Sequence, residues 1–338
     1  MRIVIVTDAA PPQVNGVVIT LGTLAQELRH LGHEVHMVTP ASFRTMPCPT
    51  YPEIRLALFP GAGVRRALES LAPEAIHIAT EGPLGIAARR ICVRRGWPFT
   101  TSYHTRYPEY VRARAPVPKA ITYAWLRRFH SRAQRVMVPT ETIRADLQEH
   151  GFANTVIWPR GVDVARFTPE GPCVSRADIP RPVFAYVGRV AVEKNLTAFL
   201  RLQLPGSKWV VGGGPQLAAL KRDFPDVHFA GAVDHHDLPA YYRCADAFVF
   251  PSLTDTFGLV LLEALACGVP VAAFPVAGPA DVVGASGSGV LDHDLKRAAL
   301  GALEVPRAAA RAHAMKFSWE RVASVFLGHL APFKAITT

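Results

Sequence analysis

Apolar residues in this chain come in short runs separated by polar turns, and their spacing alternates between strand and helix periods. Ile3-Val4-Ile5-Val6 is a continuous apolar run of strand length and predicts a first buried strand at Arg2–Val6. Residues 11–17 read as a loop, 19–31 as an amphipathic helix, and Glu34–Val38 as a second strand after Gly32-His33. Further strands are predicted at 54–59, 75–78, 99–103, 136–139 and 156–158. Helices are predicted at 85–95, from Lys119 onward, and from Thr140, a capping residue, to His150. The pattern lapses over 169–182, where Pro169, Gly171, Pro172, Pro180 and Pro182 follow no period, as in a linker. The alternation then restarts, with strands at 183–187, 208–211, 227–229 and 247–250 and helices between them. Two successive α/β halves predict two doubly wound parallel sheets with a cleft between them.

The densest stretch is 251–270, PSLTDTFGLVLLEALACGVP. It leaves the run Ala247–Phe250, turns through Ser252, Thr254, Asp255 and Thr256, and enters a helix stopped by Gly268 and Pro270. An apolar run at 269–274 predicts the next strand. A polar, acidic turn thus sits at the carboxyl end of a strand, where open parallel sheets bind ligands. Free N–H groups at Phe257, Gly258 and Leu259 would suit a phosphate. Asp255 and Glu263 read either as a ligand pair or as a cap and an ordinary helical acid.

Composition narrows the class. A chain of 338 residues, 49% hydrophobic and 19% charged, is long enough for two domains with sizeable cores and is not disordered. No run of 18 apolar residues predicts a membrane span, and the N-terminus leads straight into a strand, so no signal peptide is expected. The five cysteines are scattered without a CxxC pair, so neither a disulfide framework nor a zinc site is expected, and a reducing cytosol is. The net charge of +10 is uneven: residues 1–165 hold 20 Lys and Arg against 12 Asp and Glu, and the rest 17 against 15. Residues 106–135 interleave Arg106, Arg112, Arg114, Lys119, Arg127, Arg128, Arg132 and Arg135 with Tyr107, Tyr110, Tyr123, Trp125 and Phe129. From Lys119 onward, Ile121, Trp125, Leu126 and Phe129 form an apolar side. The segment reads as a contact with an anionic membrane surface or as a solvated helix packed on its domain. No glycine-rich RNA-binding signature or helix-turn-helix accompanies the charge, so nucleic acid is not expected.

Candidate chemistry gathers at strand ends. The first turn lacks G-x-G-x-x-G, which counts against dinucleotide binding by the first half. His104 follows a predicted strand and reads as a site residue or a structural histidine. In the second half, Gly188-Arg189 and Lys194 bracket one turn and Gly212-Gly213-Gly214-Pro215 forms another. Two cations at one turn can hold a diphosphate and stabilise the charge that grows as it leaves. Glu263 could accept hydrogen bonds from ribose hydroxyls.

Taken in order, Gly188-Arg189…Glu193-Lys194-Asn195, Val211-Gly212-x-Gly214-Pro215 and Pro251-Ser252-x-Thr254-Asp255-x-Phe257-Gly258…Glu263-Ala264-x-Ala266-x-Gly268-x-Pro270-Val271 resemble the retaining GT-B glycosyltransferases of family GT4. Asn15-Gly16, Gly32-His33-Glu34-Val35, Trp158-Pro159-Arg160-Gly161-Val162-Asp163…Phe167 and Phe317-Ser318-Trp319-Glu320 agree, so the resemblance spans the chain. It implies an acceptor-binding Rossmann-like domain at 1–168, joined by a crossover helix in 317–338, and a nucleotide-sugar domain at 180–316, facing each other across a cleft. It further implies that Arg189 and Lys194 bind the donor diphosphate, that Glu263 holds the ribose, and that His104 lies near the donor sugar. Asp255 and the N–H groups of Thr256, Phe257, Gly258 and Leu259 would face the sugar and phosphates. Gly16, Gly188 and Gly214 would allow close approach of the donor. The family's usual Glu-x7-Glu is Asp255-x7-Glu263 here, and Thr-Asp-Thr-Phe-Gly resembles the subgroup of sulfoquinovosyl- and glycosyl-diacylglycerol synthases and some mannosyltransferases. The implied reaction is metal-independent and cofactor-free transfer of a hexose or hexuronic acid, from a UDP-sugar by preference, to a membrane lipid such as diacylglycerol. GDP-mannose-dependent mannosyl transfer to a lipid-linked or polysaccharide acceptor is the alternative, followed by a nucleotide-sugar epimerase. A non-enzymatic peripheral membrane protein is disfavoured by intact Arg189, Lys194 and Glu263. The implied location is cytoplasmic, peripheral on the inner face of the membrane.

Overall fold

The computed structural model describes residues 1–13, 15–48, 54–114, 117–174 and 179–333. The chain forms two compact units, Met1–Arg160 with Trp319–Thr338, and Gly161–Ser318. The first runs β1 (Arg2–Val6), α1 (Gly16–His30), β2 (Glu34–Val38), β3 (Thr45–Pro47), β4 (Arg55–Ala57), α2 (Gly61–Leu71), β5 (Ala75–Ile78), α3 (Pro83–Arg95), β6 (Thr100–Ser102), α4 (Tyr107–Arg114), α5 (Lys119–His130), β7 (Val136–Val138), α6 (Glu141–Glu149) and β8 (Thr155–Ile157). Its main sheet has the order β2-β1-β5-β6-β7-β8, with every pair parallel. Ile3 to Val6 and all of β5 are buried, as continuous apolar runs covered on both faces must be. Helix α1 starts at Gly16, earlier than its periodicity suggests, because the Asn15 side chain accepts from the Val17 and Val18 N–H groups. Leu21, Leu24, Ala25 and Leu28 turn its apolar stripe onto the sheet.

Two expectations for this unit are corrected. The strand read at 54–59 is only Arg55–Ala57, and it pairs antiparallel with Thr45–Pro47 outside the main sheet. Leu58 and Phe59 lie beyond that pairing, and Phe59 is 97% exposed. The apolar side read from Lys119 onward splits across α5. Leu126 and Phe129 point inward with Thr122, Tyr123 and His130, while Ile121 and Trp125 are 60% and 44% exposed. Ile121, Trp125 and Arg128 share an outward face of α5, since steps of three or four residues keep to one helical face, and Arg132, just past the helix end, is exposed as well. Several of the segment's cations are engaged internally. Arg106 pairs with Glu109 and Asp146, and Arg135 donates to the carbonyls of Gly328, His329 and Leu330.

The second unit runs β9 (Val183–Val187), α7 (Leu196–Leu200), β10 (Ser207–Val211), α8 (Leu217–Asp223), β11 (His228–Gly231), α9 (Leu238–Cys244), β12 (Ala247–Phe250), α10 (Leu259–Ala266), β13 (Val271–Ala273), α11 (Pro279–Val282), β14 (Gly289–Leu291), α12 (Leu295–Ala302) and α13 (Arg307–Ala314). Its sheet order is β11-β10-β9-β12-β13-β14, again with every pair parallel. Val162 and Phe167 are buried in its core, and Arg311 donates to the carbonyls of Val164 and Phe167. The last helix, α14 (Trp319–His329), returns to the first unit and buries Trp319, Val322, Ala323 and Phe326 there, as a crossover helix should. The linker read at 169–182 falls partly outside the described residues.

The cysteine expectation is also corrected. Cys173 and Cys244 are joined, with Cα atoms 5.3 Å apart and a sequence separation of 71. Arg243 donates to the carbonyls of Thr168, Glu170 and Pro172, which lays this segment along the end of α9 and brings the two sulfurs together. No local spacing rule could register such a pair. Cys48, Cys92 and Cys267 are free.

The ends of β9 and β10 interlock through backbone. Gly188 N–H donates to the Val211 carbonyl, Val190 N–H to Gly213 and Gly212 N–H to Gly231. Gly212 has φ +141°, and a Cβ there would lie 1.9 Å from the Gly188 carbonyl oxygen. Replacing Gly212 with Ala should therefore destabilise this unit by about 3 kcal/mol. Denaturant unfolding followed by far-UV circular dichroism checks this; an unchanged midpoint would show that the two turns can separate freely.

Candidate functional site

The second sheet reverses its winding direction between β9 and β12. From β9 the chain moves outward to β10 and β11, then crosses back to β12 and continues through β13 to β14. At such a reversal the loops leaving the two central strands diverge and open a crevice at the carboxyl edge. The residues predicted on sequence grounds to hold a donor fall on these loops. Gly188, Arg189 and Lys194 follow β9, Gly214 follows neighbouring β10, and Asp255, Thr256, Phe257, Gly258 and Leu259 follow β12.

The β9 turn is shaped from within. Gly188 has φ +148°, and the Tyr186 hydroxyl donates to the Arg189 carbonyl at 2.8 Å. A Cβ on Gly188 would meet that hydroxyl at 2.9 Å, and one on Gly214 would lie 2.4 Å from the Val190 carbonyl oxygen. Close packing of chain on chain therefore accounts for glycine at both positions. The turn ends in a 3-10 segment, Val192–Lys194, and Asn195 sits in the left-handed region with φ 54°. Asn195 donates to the Pro251 carbonyl at 3.1 Å, while Ser252 and Thr254 reach the Glu193 carbonyl at 3.4 Å. These bonds tie the β9 turn to the β12 turn. Across the junction, Lys194 Nζ lies 2.5 Å from Asp255 Oδ1. The other carboxylate oxygen, Asp255 Oδ2, is shielded from solvent and has no hydrogen-bond partner among the described residues.

Gly258, with φ +85°, leads into α10 at Leu259. The first N–H groups of a helix have no acceptor within it, so this mouth offers donors to a ligand. Phe257 is 5% exposed and lies in the core, so its ring anchors the turn and only its N–H group can serve a ligand. Helix α10 buries every residue from Leu261 to Ala266, and Glu263 is the one charged group among them. A carboxylate so placed needs hydrogen bonds to remain charged. His235 Nε2 lies 2.9 Å from Oε1, and the Tyr242 hydroxyl donates to Oε2 at 2.8 Å. Burial, followed by the nearby Glu263 charge, pushes the Tyr242 hydroxyl well above its usual range and keeps it a donor. Two donors thus fix the Glu263 carboxylate, and its remaining lone pairs stay available to a diol. Sequence reasoning missed both His235 and Tyr242. Neither belongs to the motif around Glu263, and α10 and α9 bring them together only in the fold.

Gly16 and His104 belong to the first unit. Gly16 is exposed at the start of α1, in the connection that leaves β1. His104 follows β6 and is half-buried. Its Nδ1 lies 3.2 Å from a guanidinium nitrogen of Arg160, itself only 4% exposed. Burial, then Arg160, holds His104 well below the ordinary histidine range, so its imidazole is neutral. Arg160 was read only as part of the motif that follows Trp158. Among the described residues no group of three or more His, Cys, Asp or Glu side chains is placed to hold a metal ion, and no helix is long and apolar enough to cross a membrane.

Comparison with known proteins places these features in a family. Residues 14–166 match the model described as Glycosyltransferase Family 4, and residues 181–304 that described as Glycosyl transferases group 1. A GDP-mannose-dependent alpha-mannosyltransferase from Mycobacterium tuberculosis is 29% identical over 97% of this chain and 96% of its own length. Its counterpart from Mycolicibacterium smegmatis is 30% identical over 86% and 84%. The sulfoquinovosyl transferase SQD2 of Arabidopsis thaliana is 30% identical over 76% of this chain and 56% of its own length. Among solved structures, sucrose-phosphate synthase from Thermosynechococcus elongatus superposes with a TM-score of 0.76 at 21% identity, covering 97% of each chain. With two parallel-sheet Rossmann-like units of the GT-B kind and relatives of this breadth, the chain belongs to glycosyltransferase family 4.

Proposed function

We propose that this glycosyltransferase moves a mannosyl group from GDP-mannose to a lipid-linked or polysaccharide acceptor with retention of the anomeric configuration. The observation that carries the donor site is the Lys194–Asp255 pair at the sheet reversal, with Glu263 fixed one helix away. Arg189 and Lys194 take the diphosphate, and the first N–H groups of α10 add donors to it. Glu263 takes the ribose hydroxyls. Asp255 Oδ2, buried without a donor, takes a hydroxyl of the transferred sugar, which relieves an unmet hydrogen bond that costs about 1–3 kcal/mol. In the reaction the bond from C1 to the diphosphate breaks, and the acceptor oxygen bonds to C1 on the same face. The acceptor proton passes to the departing phosphate oxygen. The two cations stabilise the charge gathering on that phosphate, so this reading assigns no step to a metal ion. The choice of GDP-mannose leans on the two mycobacterial relatives, which align over most of their length.

A second reading keeps the chemistry and changes both substrates: a UDP-sugar donor and diacylglycerol. It is favoured by the Arabidopsis relative and by the outward surface of Ile121, Trp125 and Arg128, with Arg132 just past the helix end, which has the composition of a membrane-facing helix. Under either reading with a lipid acceptor, that surface rests on the anionic inner face of the membrane.

Purified protein, with EDTA present, is to be given GDP-mannose and a series of UDP-sugars, each with lipid and glycan acceptors. Transfer from GDP-mannose alone is expected. Transfer from a UDP-sugar to diacylglycerol instead would establish the second reading, an epimerised free nucleotide sugar would make the protein an epimerase, and nucleotide binding without turnover would remove the enzymatic reading. Replacing Lys194 with Ala should lower kcat by roughly 10²–10³-fold, the usual loss when a group stabilising transition-state charge is removed; unchanged kcat would take Lys194 out of the site. Combined replacement of Trp125, Arg128 and Arg132 by Ala should weaken sedimentation with phosphatidylglycerol vesicles, whereas undiminished binding would place membrane contact elsewhere.

A further inference from the structure

Arg160 is a buried guanidinium with no carboxylate partner among the described residues. One terminal nitrogen donates to the Trp158 carbonyl at 2.6 Å and to the Pro159 carbonyl at 3.2 Å, and the other faces His104 Nδ1 at 3.2 Å. Its carbon lies 4.2 Å from the centre of the Trp158 ring, a cation–π distance. That ring is itself immobilised. Trp158 is fully buried, its indole N–H donates to the Val322 carbonyl of α14 at 3.2 Å, and Phe326 packs 5.1 Å from it. The returning C-terminal helix therefore holds the platform on which Arg160 lies, and the platform sets where the guanidinium meets His104.

The contact decides the chemistry of His104. A guanidinium has donors and no acceptor, so the nitrogen it faces must accept. In a neutral imidazole the single proton must then be on Nε2. Protonating Nδ1 would set a donor against a donor and a cation against a cation. The other titratable groups acting on His104 do not oppose this. Burial pushes His77 down to about 3, and its ring is bonded to Thr100 and Ser102, while His130 is engaged by Thr101 and Glu81. Burial likewise brings the Arg160 guanidinium down to about 9, which leaves it charged at neutral pH.

We propose that Arg160 is a positioning residue for glycosyl transfer, fixing His104 as the neutral tautomer protonated on Nε2, so that His104 meets the sugar as a hydrogen-bond donor and never as a charged acid. This rests on the glycosyl-transfer reading above and on the family resemblance, which implies that His104 lies near the donor sugar. Arg160 itself touches neither substrate.

The test uses full-length protein labelled with 15N-histidine, with His104 assigned by its loss in His104→Gln. From pH 5.5 to 8.5 the wild type is expected to show an unprotonated Nδ1 and a protonated Nε2 that do not titrate. In Arg160→Met, which leaves the burial of His104 in place, the imidazole is expected to stay neutral but to populate both tautomers. Arg160→Lys, which still presents a donor, should restore the wild-type pattern. In turnover assays with the donor that the wild type uses, Arg160→Met should lose roughly 10²-fold in kcat with little change in donor KM. Arg160→Lys should recover much of the rate. A wild-type His104 that titrates near neutrality, or carries its proton on Nδ1, overturns the proposal whether or not any variant folds. So does an Arg160→Met protein with unchanged histidine signals, or one that keeps the wild-type kcat. If the signals behave as expected but the wild type transfers no sugar, the glycosyl-transfer reading fails, and the catalytic part of this proposal falls with it.

Discussion

A parallel sheet covered by helices on both faces has its accessible polar groups at the strand ends, and that constraint organises both units of this protein. Every strand pair in the two main sheets is parallel. The central strands are buried, and the polar side chains they carry, such as His77, Thr100 and Ser102, are bonded to one another inside the sheet. Chemistry is displaced to the carboxyl edge, where turns leave the sheet with unpaired N–H groups and short polar side chains. In the second unit the reversal of winding between β9 and β12 selects two such turns and sets them side by side. Asn195, Ser252 and Thr254 then fasten one turn to the other.

The two units treat charge differently at these edges. In the second, Lys194 meets Asp255, and Glu263 meets His235 and Tyr242. In the first, Arg160 has no carboxylate partner among the described residues and relies on carbonyl oxygens and the Trp158 ring. A buried carboxylate can accept from a phenol and an imidazole and remain charged. A buried guanidinium held by carbonyls remains a pure donor and imposes its polarity on whatever it faces. The first arrangement suits binding of a diol. The second suits fixing a proton on a neighbouring histidine.

Much of this was legible in the residues. Apart from β14, the strands of both main sheets were predicted from short runs in the sequence, and the turn bearing Asp255 from the polar interruption between Phe250 and Leu259. The crossover helix beginning at Trp319 was expected from the family resemblance rather than from an apolar period. What stayed hidden depends on distance along the chain. His235 and Tyr242 serve Glu263 from 28 and 21 residues away, and Cys173 finds Cys244 across 71. Helices α2, α12 and α13 are amphipathic and α4 is not, and none of the four was predicted. Ile121 and Trp125 were grouped with Leu126 and Phe129 on one apolar side because hydrophobicity was taken as a guide to direction. Ile121 and Trp125 show that a helix wedged at a unit's surface can carry apolar residues outward.

The relative strength of the ion pairs decides which contacts a donor would rearrange. Lys194 and Asp255 retain 20% and 16% of their side-chain exposure, so their attraction is partly screened and is worth about 1 kcal/mol or less. An incoming diphosphate, carrying more charge than one carboxylate, can draw Lys194 away at little cost. Glu263 is 5% exposed, and stripping its partners would leave a buried carboxylate uncompensated, at a cost of roughly 3–5 kcal/mol. No single hydroxyl contact returns that much, so Glu263 stays clamped while ligand binds. The site thus combines one cation free to exchange partners with one acid that is not. Moving Lys194 onto the diphosphate releases Asp255 toward the sugar, so binding of the charged part of a donor would itself prepare the contact to its neutral part.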